Sequence, residues 1–533
     1  MKKVSQGILS IIIFFLASTT HAQLMQNLFL GNAKAFSLGN AVTADPPGID
    51  SIHFNPAGLT ALKGRQYQLK IAGAFFDVKA DFSSSEEYDY QLNEVMGRQD
   101  PILDDDGKAT SNVDGITVML PFFGLVDLPG VIAPVGGFSY QIDALNPDIT
   151  IANAIYAPLI LGFNRSEDDP GIYQGKQFGV SRITYLSPSI GYRVNSKLSV
   201  GASLGINYMG VGLDLPVRIP NILLAGVDQV HGNLCTALGG GPGACAGRLD
   251  PLGQLVNLSG ELQENFSPTF NLGFLWNVTS WLTWGAVYQH GANDVLKGQF
   301  DIVFSEDVMN FVNGLNGDLG ESTSDALNRA VSFPTELSSF STGASLNLKY
   351  PRNLATGVKL QVFDRLQVNI DLKWVETGLW DKWVIQFEED VDLFGLLGLI
   401  TPYASSNTFT LPRGWVDVVS WAYGVEFRYS DRLRLRFGYE PRGSSVPDNK
   451  RDYILPVADL NLYGFGFNYK LDSNSDIDFT LTYIVSNEYI PSDSSDNINS
   501  GAADNFIYNP YAGQNVDMSL RATAIELAYN KRL

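Results

Sequence analysis

Residues 198–208 read Leu198-Ser199-Val200-Gly201-Ala202-Ser203-Leu204-Gly205-Ile206-Asn207-Tyr208. Even positions are apolar and odd ones small or polar, the period of two that a pleated strand produces when its faces meet different surroundings. The period returns at Leu366, Val368, Ile370, Leu372 and Trp374 against Gln367, Asn369, Asp371 and Lys373. It returns again at Leu433, Leu435, Phe437 and Tyr439 against Arg432, Arg434 and Arg436. Charges of both signs on the second face suit a wet lumen and would be rarely tolerated in a dry sandwich core.

Working outward, the connections between such runs alternate in length. Short ones fall at Asn195-Ser196, Val278-Thr279-Ser280, Phe363-Asp364, Ser430-Asp431 and Asp472-Ser473-Asn474-Ser475. Long ones fall around 79–112, 144–180, 213–265, 302–345, 386–415, 442–459 and 489–515. Short inner turns and long outer loops are the habit of bacterial membrane barrels. Seven long loops predict a closed, 14-stranded antiparallel transmembrane β-barrel over residues 63–533. Trp276, Trp281, Trp284, Tyr423 and Tyr429 stand near strand ends, where an interfacial girdle is expected.

Composition agrees. The 533 residues include 52 Gly, 23 Tyr and 31 Phe, and the mean hydropathy of +0.01 is too low for a bundle of membrane helices. Lys2 and Lys3, an apolar run over 8–17 and Thr20-His21-Ala22 have the layout of a signal peptide at 1–22. After it no run reaches the roughly 18 apolar residues of a membrane helix. A net charge of −20 repels phosphate backbones, so nucleic acid is excluded as a partner. Cys235 and Cys245 flank a glycine-rich stretch of a secreted chain and are expected to form a local disulfide.

Ahead of the barrel, residues 31–62 carry small residues, a Pro46-Pro47-Gly48 breaker and no sustained period. They read as an irregular plug, part of a hatch over 23–62, centred on Phe54-Asn55-Pro56-Ala57-Gly58. Pro56 fixes its own φ and disfavours helix at Asn55, whose side chain can hold a tight turn.

The plug resembles the hatch of FadL-type outer-membrane channels, which take up long-chain fatty acids and other hydrophobic molecules. Gly39-Asn40-Ala41-Val42-Thr43-Ala44-Asp45 and Asn55-Pro56-Ala57 stand where that family has Gly-x-Ala-x-x-Ala-Asp and Asn-Pro-Ala. Leu435-Arg436-Phe437-Gly438-Tyr439, Ser444-Ser445-Val446-Pro447, Leu455-Pro456 and the alternating 464–469 resemble its late hairpin. Ser445 replaces a family proline, and Leu533 stands where relatives commonly end on an aromatic. The resemblance implies passive inward transport across the outer membrane by a monomer in contact with the bilayer. It also implies loop capture, movement of the plug at Phe54–Gly58, and lateral release through a kink in the third strand.

Candidate sites follow. Val308, Phe311, Val312 and Leu315 keep helical spacing, and Ile219, Ile222 and Leu223 nearly do, so two outer-loop helices could form an apolar capture groove or simply cover the mouth. Pro134, Gly136 and Gly137 weaken what is expected to be the third strand and mark the kink. Lys373, Arg428, Arg434 and Arg436 face the lumen, where they could hold a carboxylate or pair with one another's acids. No cofactor, metal or enzymatic role is expected. His53, His231 and His290 are far apart in sequence, and the Gly201–Gly205 G-x-S-x-G lies in a strand, without an elbow. Cargo stays open between fatty acids and aromatic or alkane hydrocarbons. A polar-solute porin, a lipase and an adhesin or phage-receptor barrel are the rival readings.

Overall fold

The computed structural model describes residues 31–533 except 86–94, 129–130, 143–145, 238–244, 246, 320–336, 392–393, 396–397, 399–400, 456–457 and 502–508. The expected signal peptide at 1–22 and hatch residues 23–30 lie outside the described residues.

Fourteen antiparallel strands form the wall. They are β1 (Arg65–Ser84), β2 (Val131–Gln141), β3 (Ile149–Ala154 and Tyr156–Asn164), β4 (Gln177–Leu186 and Ser189–Arg193), β5 (Leu198–Val217), β6 (Val256–Asn277) and β7 (Leu282–Gln289 and Ala292–Phe304). Then come β8 (Phe340–Tyr350 and Asn353–Phe363), β9 (Leu366–Val375 and Lys382–Phe387), β10 (Thr408–Pro412 and Val418–Arg428), β11 (Leu433–Arg442), β12 (Leu460–Lys470), β13 (Ser475–Ile490) and β14 (Gln514–Arg532). The sheet closes where β1 pairs with β14, from Gln66 opposite Arg532 to Ser84 opposite Gln514. Closure leaves no open edge in the bilayer.

Alternation does what it predicts. On β1, Leu69, Ile71 and Phe75 are exposed toward lipid, whereas Gln68, Lys70, Ala72 and Ala74 between them are buried inside. Trp276, Trp281, Trp284 and Tyr429 are exposed near the inner turns, as a girdle requires. The outer half of the lumen is filled by an apolar core that includes Phe178, Leu213, Leu262, Phe300, Leu346, Trp383 and Leu411.

Residues 31–62 sit inside the ring. Wall glycines lie where they come closest: an added Cβ at Gly438 would fall 1.8 Å from the Gly39 nitrogen, and at Gly464 1.8 Å from the Phe36 oxygen. On the opposite wall, a Cβ at Gly273 would fall 2.1 Å from Asn55 Oδ1 and at Gly201 2.2 Å from the Pro56 carbonyl carbon. These glycines are cross-strand partners, Gly424–Gly438–Gly464 on one side and Gly191–Gly201–Gly273 on the other. Together they form a collar that only Gly can line at this spacing.

One correction concerns the kink. Pro134, Gly136 and Gly137 are on β2, the second strand, because residues 108–112 only extend the sheet beside the outer end of β1 and 116–128 form a separate hairpin, so neither adds a full barrel strand. β2 pairs with β1 from Val131 to Tyr140 but with β3 only from Gly137 to Gln141. The last link is the Ile155 N–H donating to the Gly136 oxygen at 3.0 Å. Beyond it β3 leaves β2, and its ladder with β4 shifts register between Tyr156 and Leu159, around Ala157-Pro158. Pro134 is tolerated because it sits in the part of β2 beyond that ladder.

Candidate functional site

The plug is built from short helices whose caps also reach the wall. Asn32 caps α1 (Ala33–Ser37), its Oδ1 accepting from the Lys34 and Ala35 amides. Its Nδ2 donates to Asp50, which also receives Lys70 Nζ of β1 at 2.8 Å. Asn55 accepts from the Ala57 amide and donates to the oxygens of Thr43, Phe274 and Ala286, stitching one plug turn to another and to β6 and β7. Asn40 donates to Glu440, the Thr43 amide to Asp371, and Asn369 to the Ala41 oxygen. Burial works to raise the Asp45 carboxyl, but Lys34 at 2.8 Å and Lys359 at 3.3 Å overcome it and hold it well below the usual carboxylate range. Each such bond contributes about 1 kcal/mol, so the plug is fastened around its circumference.

One side is different. Where β2 and β3 part, a cavity is lined by Phe54 and His53 of the plug, Val135 of β2 and Tyr156, Ala157 and Pro158 of β3, with Lys70 and Glu526 on its polar side. It has only about 20 Å³ open to the centre of a water-sized sphere, room for a water and little more. Burial, reinforced by Lys70, pushes the His53 imidazole down to about 4, so it is neutral at pH 7.

A second cavity lies within the apolar core of the outer lumen. Phe178, Leu213, Leu262, Phe300, Leu346, Trp383, Ile385 and Leu411 line it, with about 30 Å³ open to a water-sized sphere. Its one charged lining residue is Arg413, whose Nη1 donates to Asp452. Arg413 Nη2 and Trp383 Nε1 are buried with no hydrogen-bond partner among the described residues. Such donors are costly to leave empty.

The other expected site residues are distributed differently. Two outer helices follow, α2 (Ile222–Ala237) and α3 (Glu306–Leu319); Val308, Phe311 and Val312 of α3 are buried in the lumen core, as is Ile219 just before α2. Ile222 and Leu223 are exposed, so the two faces do not converge on a groove. Instead His231 of the first helix meets the Phe311 ring edge-on at 4.8 Å. The Leu315 side chain lies outside the described residues. Lys373 pairs with Glu440 at 2.8 Å, Arg434 with Glu426 at 3.2 Å, and Arg436 with both Glu426 at 2.8 Å and Asp478 at 2.6 Å. Arg428 is exposed at the inner rim, bonded to the Asp364 oxygen. These cations fasten wall and plug, with their carboxylate partners supplied by the chain. Cys235 and Cys245 are joined in a disulfide. Ser203 donates to the Ile52 oxygen, a plug contact.

Sequence reasoning missed Arg413, Trp383 and Pro158. The available signals were a lone arginine in Leu411-Pro412-Arg413-Gly414-Trp415 and a proline inside the apolar Ile155–Ile160 run.

Comparison with known proteins follows the same lines. A family model described as "Outer membrane protein transport protein (OMPP1/FadL/TodX)" matches residues 14–532. No curated protein sequence matches the chain at a significant level. Among solved structures, a Pseudomonas aeruginosa FadL homologue is similar at a TM-score of 0.64 and 15% identity, covering 96% of this chain and 100% of its own. The Ralstonia pickettii toluene transporter TbuX reaches 0.56 at 16%, covering 95% and 99%. The Pseudomonas putida toluene transporter TodX reaches 0.57 at 15%, covering 96% and 100%. With a corked fourteen-stranded wall and a family match over nearly its whole length, the chain belongs to the OMPP1/FadL/TodX family of outer-membrane transporters of hydrophobic compounds.

Proposed function

We propose that this protein passively admits long-chain fatty acids. The observation that carries the reading is the apolar chamber with two donors, Arg413 Nη2 and Trp383 Nε1, that have no partner among the described residues. An alkyl chain gains about 0.8 kcal/mol per buried methylene there, and a carboxylate gains about 1.5–3 kcal/mol from a charged donor. The chamber is nearly filled by its own side chains, so a ligand enters by parting them. From there cargo passes the Phe54 edge of the plug, which borders the cavity at the parting, and leaves between β2 and β3 into the bilayer. In place of the plug movement at Phe54–Gly58 that the resemblance implies, this route takes Asn55–Gly58, held through the Asn55 hydrogen bonds, as a fixed floor, and no energy source is required.

The test compares oleate and toluene binding by purified protein in detergent. Arg413→Met is expected to weaken oleate about tenfold and leave toluene unchanged; Trp383→Phe, which keeps an aromatic ring and removes the donor, should weaken oleate a few-fold. Heat-resistant migration checks that each variant folds. Oleate binding unaffected by both variants would sink the carboxylate assignment. Tighter toluene than oleate binding by the unaltered protein would favour the aromatic-hydrocarbon reading suggested by TbuX and TodX.

A further inference from the structure

Between β1 and β2 the chain makes a separate two-stranded hairpin, Ile116–Leu120 and Gly124–Leu128. Its sequence, Ile116-Thr117-Val118-Met119-Leu120-Pro121-Phe122-Phe123-Gly124-Leu125-Val126-Asp127-Leu128, has one charge. The nearby outer segment holding Asp100, Asp104, Asp105 and Asp106 is strongly acidic by comparison.

The hairpin lies on the outside of the barrel. On β4, Phe178, Val180 and Arg182 are buried inward, so Gly179 and Ser181 face out. Their cross-strand neighbours Gly162 on β3 and Gly210 and Gly212 on β5 face out with them. A Cβ at Gly162 would fall 2.2 Å from the Thr117 oxygen, and at Gly212 2.5 Å from Leu125 Cγ. The hairpin thus runs in a shallow glycine track across β3, β4 and β5. At the far side the Leu125 amide donates to Glu261 of β6 at 2.9 Å. Its single carboxylate, Asp127, accepts from Thr117 and from Gln177 of β4. At the tip, Phe122 is 92% and Phe123 78% exposed, and Phe122 has a φ of +69°.

We propose that this hairpin is a lipid-contacting strap, whose Phe122-Phe123 tip inserts among the acyl chains of the surrounding leaflet. Two exposed phenylalanines on a nearly uncharged hairpin would be a liability in water and are suited to a bilayer interface. The tip is also continuous with the lipid-facing belt. Glu261 lies five positions from Phe266 along β6, and Phe266, Tyr185 and Leu186 are exposed on the same outer wall. The strap's base meets the parting of the wall, since Ile116 and Val118 cluster with Ala72 of β1 and with Ala157 and Ile160 of β3. Lipid at the tip would therefore hold the upper margin of the opening. The assignment of lipid contact is independent of what the cargo is.

The test places single nitroxide labels on the full chain in phosphatidylcholine nanodiscs, at Phe122→Cys and at Phe123→Cys, with the native cysteines occupied in their disulfide. Phe266→Cys serves as the lipid reference and Asp105→Cys as the aqueous one. Oxygen, which partitions into acyl chains, and a water-soluble nickel chelate report accessibility. Tip labels are expected to match Phe266→Cys, with an oxygen-to-nickel ratio several-fold above that of Asp105→Cys. A ratio matching Asp105→Cys would overturn the proposal, and so would low accessibility to both reagents, which would mean a protein partner. Either tip variant suffices should the other fail to assemble.

Discussion

His53 shows what burial does to one side chain in the plug. Its imidazole is pushed from 6.5 down to about 4 by burial and by Lys70. The folded state therefore resists a proton that the unfolded chain accepts below about 6.5, and unfolding takes up protons between those values. Stability is fully present above that window and is lost as pH falls through it. At about 1.4 kcal/mol per pKa unit the loss approaches roughly 3 kcal/mol at pH 4. Denaturant unfolding of the detergent-solubilised protein at pH 7 and at pH 4.5 is expected to show this fall. His53→Gln should flatten it, and an equal fall in both proteins would remove His53 as its source. The residue was visible in the sequence as one of three scattered histidines, but its neutrality depends on walls that come from β1 and from the plug itself.

Among the elements, β3 decides where the wall opens. Pro134, Gly136 and Gly137 were expected to break the third strand because proline and glycine weaken a ladder. Those residues instead lie on β2, whose ladder with β1 runs from Val131 to Tyr140 without a shift of register, and the irregularity falls on β3 between Tyr156 and Leu159. A short strand at 108–112 beside the end of β1 and the hairpin at 116–128 shift the count, and no local signal separates a full barrel strand from a short segment or an outlying hairpin. The departure itself falls at Ile155 and Ala157-Pro158, opposite Gly136. Both Val135 and Ala157 line the cavity at this parting. A disulfide between Val135→Cys and Ala157→Cys is expected to cut oleate uptake by cells at least several-fold and to release it on reduction. Uptake indifferent to reductant in a fully cross-linked protein would exclude this exit. The outer helices teach a related lesson. Their spacing was legible, but which way a helical face points is set by partners distant in sequence, and the α3 face turned inward to the core.

The whole molecule is a ring fitted to its cork. Gly438 and Gly464 adjoin the plug backbone so closely that a methyl group at either would fall 1.8 Å from a plug atom. Overpacking of that kind costs about 1–3 kcal/mol per site, comparable to two or three of the plug's hydrogen bonds. The double variant Gly438→Ala/Gly464→Ala is expected to assemble as a heat-resistant barrel with a dislodged plug and a planar-bilayer conductance several-fold above the unaltered protein. Unchanged conductance would show that the collar does not seat the plug.

By itself the sequence determined the strand period, the alternation of short and long loops, the count of fourteen and the irregular segment ahead of them. Each is a local property, written in which neighbours are apolar and where glycine and proline interrupt. Tertiary structure alone decided which glycines face the plug and where β2 and β3 part. It also decided that lumen cations meet the chain's own acids and that Arg413 and Trp383 share one chamber. Those are meetings between residues tens to hundreds of positions apart, set by registers and closure that a period of two leaves undetermined.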